Sequence, residues 1–447
     1  MTTVILGLGS SLGDRLGHLR RALGLLRQTP GCTVEQVSPV YLSDALLPDN
    51  APPEWDAPYL NLALRCEVSL PPHDLLAVLK QTEQKAGRRP EKKWGPRVID
   101  IDLLAYGDQV LQSPGLQLPH AHLPSRPFAL WPLADVAPDW RYPLPGPQAG
   151  WRAAEMVAAW GSRFTGNAPF HTRQIAQRVD TPELVGILNI TPDSFSDGGQ
   201  LSSVERLLQQ AEALVNGGAT VLDLGAEATH PSAHPIEASE EWQRLQPVLP
   251  VLLEASRHFV IPPAISLDTR HVKTAEQALA LGIHWINDVS GLETAAMRQL
   301  AAEQDCKIVI MHQLGLPARK EITLSADSDP VSAVLSFGKN RIQSALAAGI
   351  SPENIIFDPG IGFGKTTSQS IHLLKNIRTF RSLGVPLMVG HSRKRFLADL
   401  SPASAAERDP ETSAISIFLA QHNVEFLRIH NAALHSRQWQ ALAPFMF

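Results

Sequence analysis

From residue 181 onwards, short runs of β-branched and other apolar residues alternate with longer amphipathic stretches. The short runs are Val185–Ile190, Val221–Gly225, Ala264–Asp268, His284–Val289, Lys307–His312, Ile355–Asp358, Pro386–Gly390 and Glu425–His430. Such runs predict buried strands, and apolar positions spaced three and four apart in Val204–Asn216, Val272–Leu281, Val331–Ala348 and Ala405–Gln421 predict helices. Eight strand–helix units in about 265 residues predict an α/β (β/α)8 TIM barrel, whose chemistry lies at the C-terminal strand ends. Every predicted strand ends on polar residues: Asn189; Asp223 and Glu227; Asp268; Asn287 and Asp288; His312; Asp358; Ser392 to Lys394; Arg428 and His430. A helix N-cap would account for any one Asp, Asn or Ser. Lys394, Arg428 and His430 are not capping types, and polar residues at all eight ends point to one functional mouth.

The first 160 residues follow another order: strand Thr3–Leu8, helix Leu16–Gln28, strands Thr33–Tyr41 and Asn61–Ser69, helix Pro72–Lys85, strand Ile99–Ala105. This predicts an α+β, ferredoxin-like sheet. The proline-rich Pro138–Pro147 and the polar, Gly-containing stretch after Trp160 mark a boundary. The expected organisation is a domain over 1–160, a linker over 161–180 and the barrel over 181–447.

Composition narrows the function. Of 447 residues, 44% are apolar and 19% charged, enough for sizeable cores. Lys and Arg total 39 against 44 Asp and Glu, and neither half is basic, so nucleic acid and anionic membranes are poor partners. Cys32, Cys66 and Cys306 are too few and too widely spaced for a disulfide framework or a metal knuckle, which fits a reduced, cytoplasmic protein. No secretory leader or long apolar span is apparent.

The sharpest local signal is the run Arg97-Val98-Ile99-Asp100-Ile101-Asp102-Leu103-Leu104. Alternation on a strand puts Asp100 and Asp102 on one face, about 6 to 7 Å apart. Two carboxylates so placed repel unless a divalent cation lies between them, and Mg2+ carried with a nucleotide polyphosphate suits that position. A solvent-facing strand with scattered acids is the plainer alternative. Upstream, Lys85, Arg88, Arg89, Lys92, Lys93 and Arg97 form a basic, Gly- and Pro-broken loop able to close over a phosphate chain. In isolation such a charge run is more often a solvated face.

Gly9-Ser10-Ser11-Leu12-Gly13-Asp14, Pro58-Tyr59-Leu60-Asn61, Glu83 through Arg88, Trp94-Gly95-Pro96-Arg97 with Asp100 and Asp102, Leu118-Pro119-His120 and Arg126-Pro127-Phe128 resemble 6-hydroxymethyl-7,8-dihydropterin pyrophosphokinase over residues 2–160. The resemblance implies Mg2+ on Asp100 and Asp102, with Arg88, Trp94, Arg97, His120 and Arg126 binding ATP. Arg88 and Arg97 join the two acids as catalytic groups. Tyr59 and Phe128 would sandwich a pterin whose edge Asn61 reads. Ser11 and Pro90 depart from the usual pattern.

Three further runs, Gly186–Gly199, Asp358–Lys365 and Gly390–Lys394, resemble dihydropteroate synthase over residues 181–447. The GFGKT end is not a phosphate-binding P-loop, because Pro359 stands where that motif needs glycine. The resemblance implies a pterin held by Asp268, Asn287, Asp358, Lys394 and Arg428. Thr229, Pro231 and Phe363 would shape a p-aminobenzoate pocket where sulfonamides compete. Asn189 with Mg2+, Arg428 and His430 would hold pyrophosphate, and Lys394, Arg428 and His430 would carry the chemistry. A homodimer through the barrel is also implied. Ala228, His230 and Asn431 depart from the family pattern, so a pterin-binding barrel without synthase chemistry stays open, as does a corrinoid-dependent methyltransferase.

Overall fold

The computed structural model describes residues 1–89, 95–163, 166, 168–190, 199–227, 235–319 and 321–446, with backbone alone for 199–203, 444 and 446. The chain forms two compact units, Met1–Asp180 with Gln440–Phe447, and Thr181–Trp439. No described helix is long and apolar enough to cross a membrane.

The first unit is built on β1 (Thr2–Ser10), α1 (Arg15–Arg27), β2 (Cys32–Val37), β3 (Tyr41–Ser43), β4 (Tyr59–Val68), α2 (Pro72–Lys85) and β5 (Asp100–Tyr106). The sheet runs β5-β1-β4-β3, with β2 also on β4, and every pair is antiparallel. This is the expected ferredoxin-like order with one change. The strand expected over Thr33–Tyr41 is broken at Pro39, which has no N–H to give the ladder. Ser38 bridges the gap, its N–H donating to Ala63 O at 2.9 Å and its hydroxyl accepting from Ala63 N at 2.9 Å. A short hairpin, β6 (Leu111–Ser113) with β7 (Leu116–Leu118), precedes α3 (Pro127–Val136) and α4 (Ala153–Ala158). Tyr41, Ala63, Leu130 and Trp131 share one core on the α3 side.

The stretch 161–180, expected as a flexible connector, belongs to this unit. Its β8 (Arg173–Gln174) pairs with β3, and Arg178 Nη2 donates to Val37 O at 3.1 Å. Edge hydrogen bonds and a buried Arg178–Asp180 ion pair hold what composition alone marks as loose.

The second unit is a parallel barrel of β9 (Glu183–Asn189), β10 (Ala219–Gly225), β11 (Ala264–Asp268), β12 (Trp285–Asp288), β13 (Lys307–Met311), β14 (Ile355–Asp358), β15 (Met388–Val389) and β16 (Phe426–Ile429). Its strand order is β14-β13-β12-β11-β10-β9-β16-β15, and a parallel bridge from Phe357 to Leu387 closes the circle. All eight expected strands are present, the seventh reduced to two residues. The helices include α5 (Gly199–Asn216), α6 (Ala238–Leu245), α7 (Leu249–Ser256), α8 (Val272–Leu281), α9 (Ala295–Glu303), α10 (Pro330–Ala347), α11 (Thr367–Lys375), α12 (Asp409–Gln421) and α13 (Ala432–Met446). Leu222, Leu224, Ile265, Leu267, Ile308 and Ile310 pack outward against this layer, which buries the apolar stripes that form the helices.

Candidate functional sites

In the first unit one rung of the sheet joins Asp100 on β5, Gly9 on β1 and Asn61 on β4, and the next joins Asp102 to Gly7. Ile99, Ile101 and Leu103 are buried on the opposite face, as period-two alternation requires. A Cβ on Gly9 would lie 3.1 Å from Asn61 Oδ1 and 3.6 Å from Tyr59 Cδ1, so the bare glycine keeps the floor between acid and amide open. Arg88 Nη1 donates to Asp100 Oδ1 and Arg97 Nη1 to Asp100 Oδ2, each at 2.6 Å. Burial pushes this carboxyl up, but the charges of Arg97 and Arg88 hold it below its ordinary value.

Glu83, which the role assignments leave out, fixes the arrangement. Its buried carboxylate ion-pairs with Arg88 at 2.6 Å and accepts from Ile101 N at 2.7 Å and Lys80 Nζ at 2.7 Å. The available signal was an acid among the buried positions of α2. Ser11 takes part too, its hydroxyl accepting from Arg97 N at 2.9 Å.

Asp102 behaves differently. Burial and then the charge of Asp100 push its carboxyl up, and His120 Nε2 stands 4.0 Å away. Two carboxylates on one face, one of them pushed up by burial and by its neighbour's charge, fit a divalent cation that takes its remaining ligands from phosphate and water. Arg126, at the start of α3, feels the Asp102 charge. Tyr59 and Phe128 are half-buried, and Asn61 Nδ2 donates to Ser43 Oγ at 3.0 Å. Trp94, Lys92 and Lys93 lie outside the described residues.

At the barrel mouth the strand ends build an interlocked polar ring. Arg428, from β16, donates through Nε to Asp223 Oδ2 at 2.6 Å and through Nη2 to Asp268 Oδ2 at 2.8 Å. Asp223 also accepts from Asn287 Nδ2 at 3.0 Å and Ser266 Oγ at 2.6 Å. Burial pushes Asp268 up against the pull of Arg428, so the ring holds charge at a cost that a donor-rich ligand edge would offset. Asp358 is buried and accepts from Gly360 N at 2.7 Å. Lys394 Nζ donates to Ile361 O at 2.6 Å and lies 4.5 Å from the centre of the Phe363 ring. A Cβ on Gly390 would meet Asp358 Oδ2 at 3.5 Å, Lys394 Nζ at 3.7 Å and Arg428 Cβ at 3.8 Å, which places those three groups around one bare backbone position.

His430 Nδ1 and the Ser392 hydroxyl are 2.9 Å apart, and burial pushes this imidazole down to about 4, so it is neutral near pH 7. Asn189 is exposed at the end of β9, and its Oδ1 lies 3.6 Å from where a Cβ on Gly225 would stand. Asp223, expected at the mouth but given no role, is a hub of the ring, and Lys365 was missed as a site residue. Lys365 is buried and donates to His312 Nδ1, Gly360 O and Phe363 O, each at 2.8 Å, which staples the loop after β14. Asn431 donates to Asp409 at 2.9 Å and accepts from Leu434 N at 3.1 Å, so at this position it caps α13. Thr229 and Pro231, with Ala228, His230 and 191–198, lie outside the described residues.

These features define a (β/α)8 barrel with a polar mouth, preceded by an α+β domain with a guanidinium-braced pair of carboxylates. The pterin binding enzyme family matches residues 185–430, and the 7,8-dihydro-6-hydroxymethylpterin-pyrophosphokinase family matches residues 5–138. A folate synthesis bifunctional protein of Chlamydia muridarum is 36% identical over 454 residues, with 99% of each chain covered. The chain belongs to the family of folate synthesis bifunctional proteins. Among solved structures, dihydropteroate synthase of Anaplasma phagocytophilum with bound 6-hydroxymethylpterin-monophosphate is 37% identical, with a TM-score of 0.54 over 60% of this chain and 100% of that one. The Xanthomonas albilineans synthase with 4-aminobenzoic acid is 33% identical, with a TM-score of 0.53 over 59% and 93%.

Proposed function

We propose that the chain is a bifunctional transferase acting twice in folate synthesis. The first unit moves pyrophosphate from ATP to 6-hydroxymethyl-7,8-dihydropterin. The barrel then lets the amine of p-aminobenzoate displace that pyrophosphate, giving 7,8-dihydropteroate. The observation that carries this reading is the pairing, on one chain, of two carboxylates, one of them braced by two guanidinium groups, with a ring in which Arg428 ties Asp223 to Asp268 and Asp223 holds Asn287.

In the first unit, Mg2+ on Asp100 and Asp102 would neutralise phosphate charge. Arg88, Arg97, His120 and Arg126 bind the phosphates, Tyr59 and Phe128 stack on the pterin, and Asn61 reads its edge. Fixed guanidinium groups suit a transfer whose developing charge sits on phosphate oxygens. In the barrel, Asp268, Asn287 and Asp358 accept from or donate to the pterin ring, and Lys394 donates to its carbonyl side. Arg428 and His430 hold the departing pyrophosphate, and Asn189 would hold Mg2+ that neutralises its charge, so that stabilising the leaving group dominates over activating the amine. Phe363 borders the p-aminobenzoate pocket, where sulfonamides compete. We place the protein in the cytoplasm, consistent with three free cysteines, and as a homodimer through the barrel.

The test is one coupled assay with ATP, Mg2+, hydroxymethyldihydropterin and labelled p-aminobenzoate. Release of AMP together with labelled dihydropteroate is expected. AMP without labelled product would overturn the synthase half, and no AMP would overturn the kinase half.

A further inference from the structure

The segment that follows the first unit's α4 meets the pterin cradle of the kinase from two sides. The Phe170 ring packs edge-on against Phe128, with centroids 5.6 Å apart and planes at 72°. From the same turn, Phe170 O accepts from Asp44 N at 2.8 Å, and His171 Nδ1 lies 2.6 Å from Asp44 Oδ2. Asp44 directly follows Ser43, whose hydroxyl accepts from Asn61. Three residues further on, β8 pairs with β3 and so anchors the turn to the strand that carries Ser43.

Phe170 and His171 both have positive φ, 61° and 39°, a conformation that side chains other than glycine adopt at a cost. Such strain persists only where surrounding contacts over-determine it, and it concentrates at ligand-handling sites. Here the turn is closed locally by Thr172, whose hydroxyl donates to Pro169 O at 3.0 Å and which bridges to Ala168, and it is tied to groups adjoining the cradle by an aromatic edge and two hydrogen bonds.

We infer that the 168–174 turn is a positioning element of the kinase site: Phe170 fixes the orientation of the Phe128 ring, and its carbonyl with His171 fixes the strand end that supports Asn61. The kinase half therefore does not end at residue 160. This rests on the reading of Phe128 as a pterin-stacking ring. An aromatic ring held by an edge contact loses less freedom when the ligand docks, so the gain appears in pterin affinity more than in turnover.

The experiment compares Phe170→Ala, Phe170→Leu and Phe128→Ala in the full chain, measuring AMP release against varied pterin and varied ATP, with thermal unfolding alongside. Phe170→Ala is expected to raise the KM for hydroxymethyldihydropterin about tenfold while kcat, the KM for ATP and the unfolding midpoint stay near wild type. Phe170→Leu, which keeps an apolar buttress, should recover part of that loss. If Phe128→Ala raises the pterin KM but Phe170→Ala does not, the positioning role is overturned and the stacking role stands. If Phe128→Ala also leaves the pterin KM unchanged, the stacking reading fails and the inference falls with it. A Phe170→Ala protein whose KM for ATP, kcat and unfolding midpoint all deteriorate together would also overturn the inference, since that is the signature of general support.

Discussion

Burial pushes the Lys394 amine down to about 8, against the pull of Asp358, and this places its titration within reach of ordinary assays. The protonated amine is the form that donates to a pterin carbonyl. Synthase kcat/KM for the pterin pyrophosphate should therefore fall as pH rises through about 8. Lys394→Arg, charged at every accessible pH, should lose rate but also lose that alkaline limb, and a limb unchanged in the arginine protein would assign it elsewhere. His430 is held neutral, so it meets pyrophosphate as a hydrogen-bond donor. The Ser392 hydroxyl accepts from His430 N at 3.3 Å and can give its proton to Nδ1, leaving the other ring nitrogen protonated. Glutamine, whose amide reaches the same place, should retain activity to within about tenfold, whereas His430→Ala should lose on the order of a hundredfold. Equal losses in single-turnover assays would count against a donor role. At this scale the sequence disclosed the charged groups readily, because Lys394, Arg428 and the Asp100–Asp102 pair are the wrong residue types for their local patterns. It gave no role to Glu83, whose partners Arg88 and Ile101 lie close in sequence but meet it only once α2 and β5 pack together, and it placed Asp223 at the mouth without its partner Arg428, 205 positions away.

The loop after β14 shows how an element is held to shape by what it cannot contain. Gly360 has φ of 65°, and a Cβ there would lie 1.9 Å from His312 O, with Lys365 Nζ at 3.3 Å. Gly360→Ala should destabilise the barrel by about 3 kcal/mol or more and abolish synthase activity by displacing Asp358 and Lys365. Gly384 has a similar φ of 73° but open space around it, so Gly384→Ala should cost only about 1 to 2 kcal/mol. Equal shifts in the two midpoints by thermal unfolding would refute the steric argument. Elements with a strong period were legible: eight apolar runs gave eight parallel strands, and alternation gave the acidic strand its faces. The break at Ser38-Pro39 and the anchored 168–180 stretch were not. Both depend on hydrogen bonds to strands distant in sequence, which local composition does not report.

Across the barrel, three buried histidines are kept uncharged: burial pushes His312 down to about 3, and His391 and His430 each to about 4. Unfolded, each would take up a proton near pH 6.5, so below that pH the unfolded chain binds protons that the fold refuses. Stability is then full above about pH 6.5 and falls as the pH drops toward 4, by about 3 kcal/mol for each histidine. Unfolding midpoints of the barrel transition at pH 7, 5.5 and 4.5 should decrease steadily, and a flat profile would show that these imidazoles are not buried neutral.

The pairing of Arg428 with Asp223 spans 205 positions, and the guanidinium comes from the last barrel strand. A chain that has delivered only seven strands lacks the guanidinium that pairs with both Asp223 and Asp268. Nascent chains truncated before that arginine should consequently be poor at closing and ready prey for proteases.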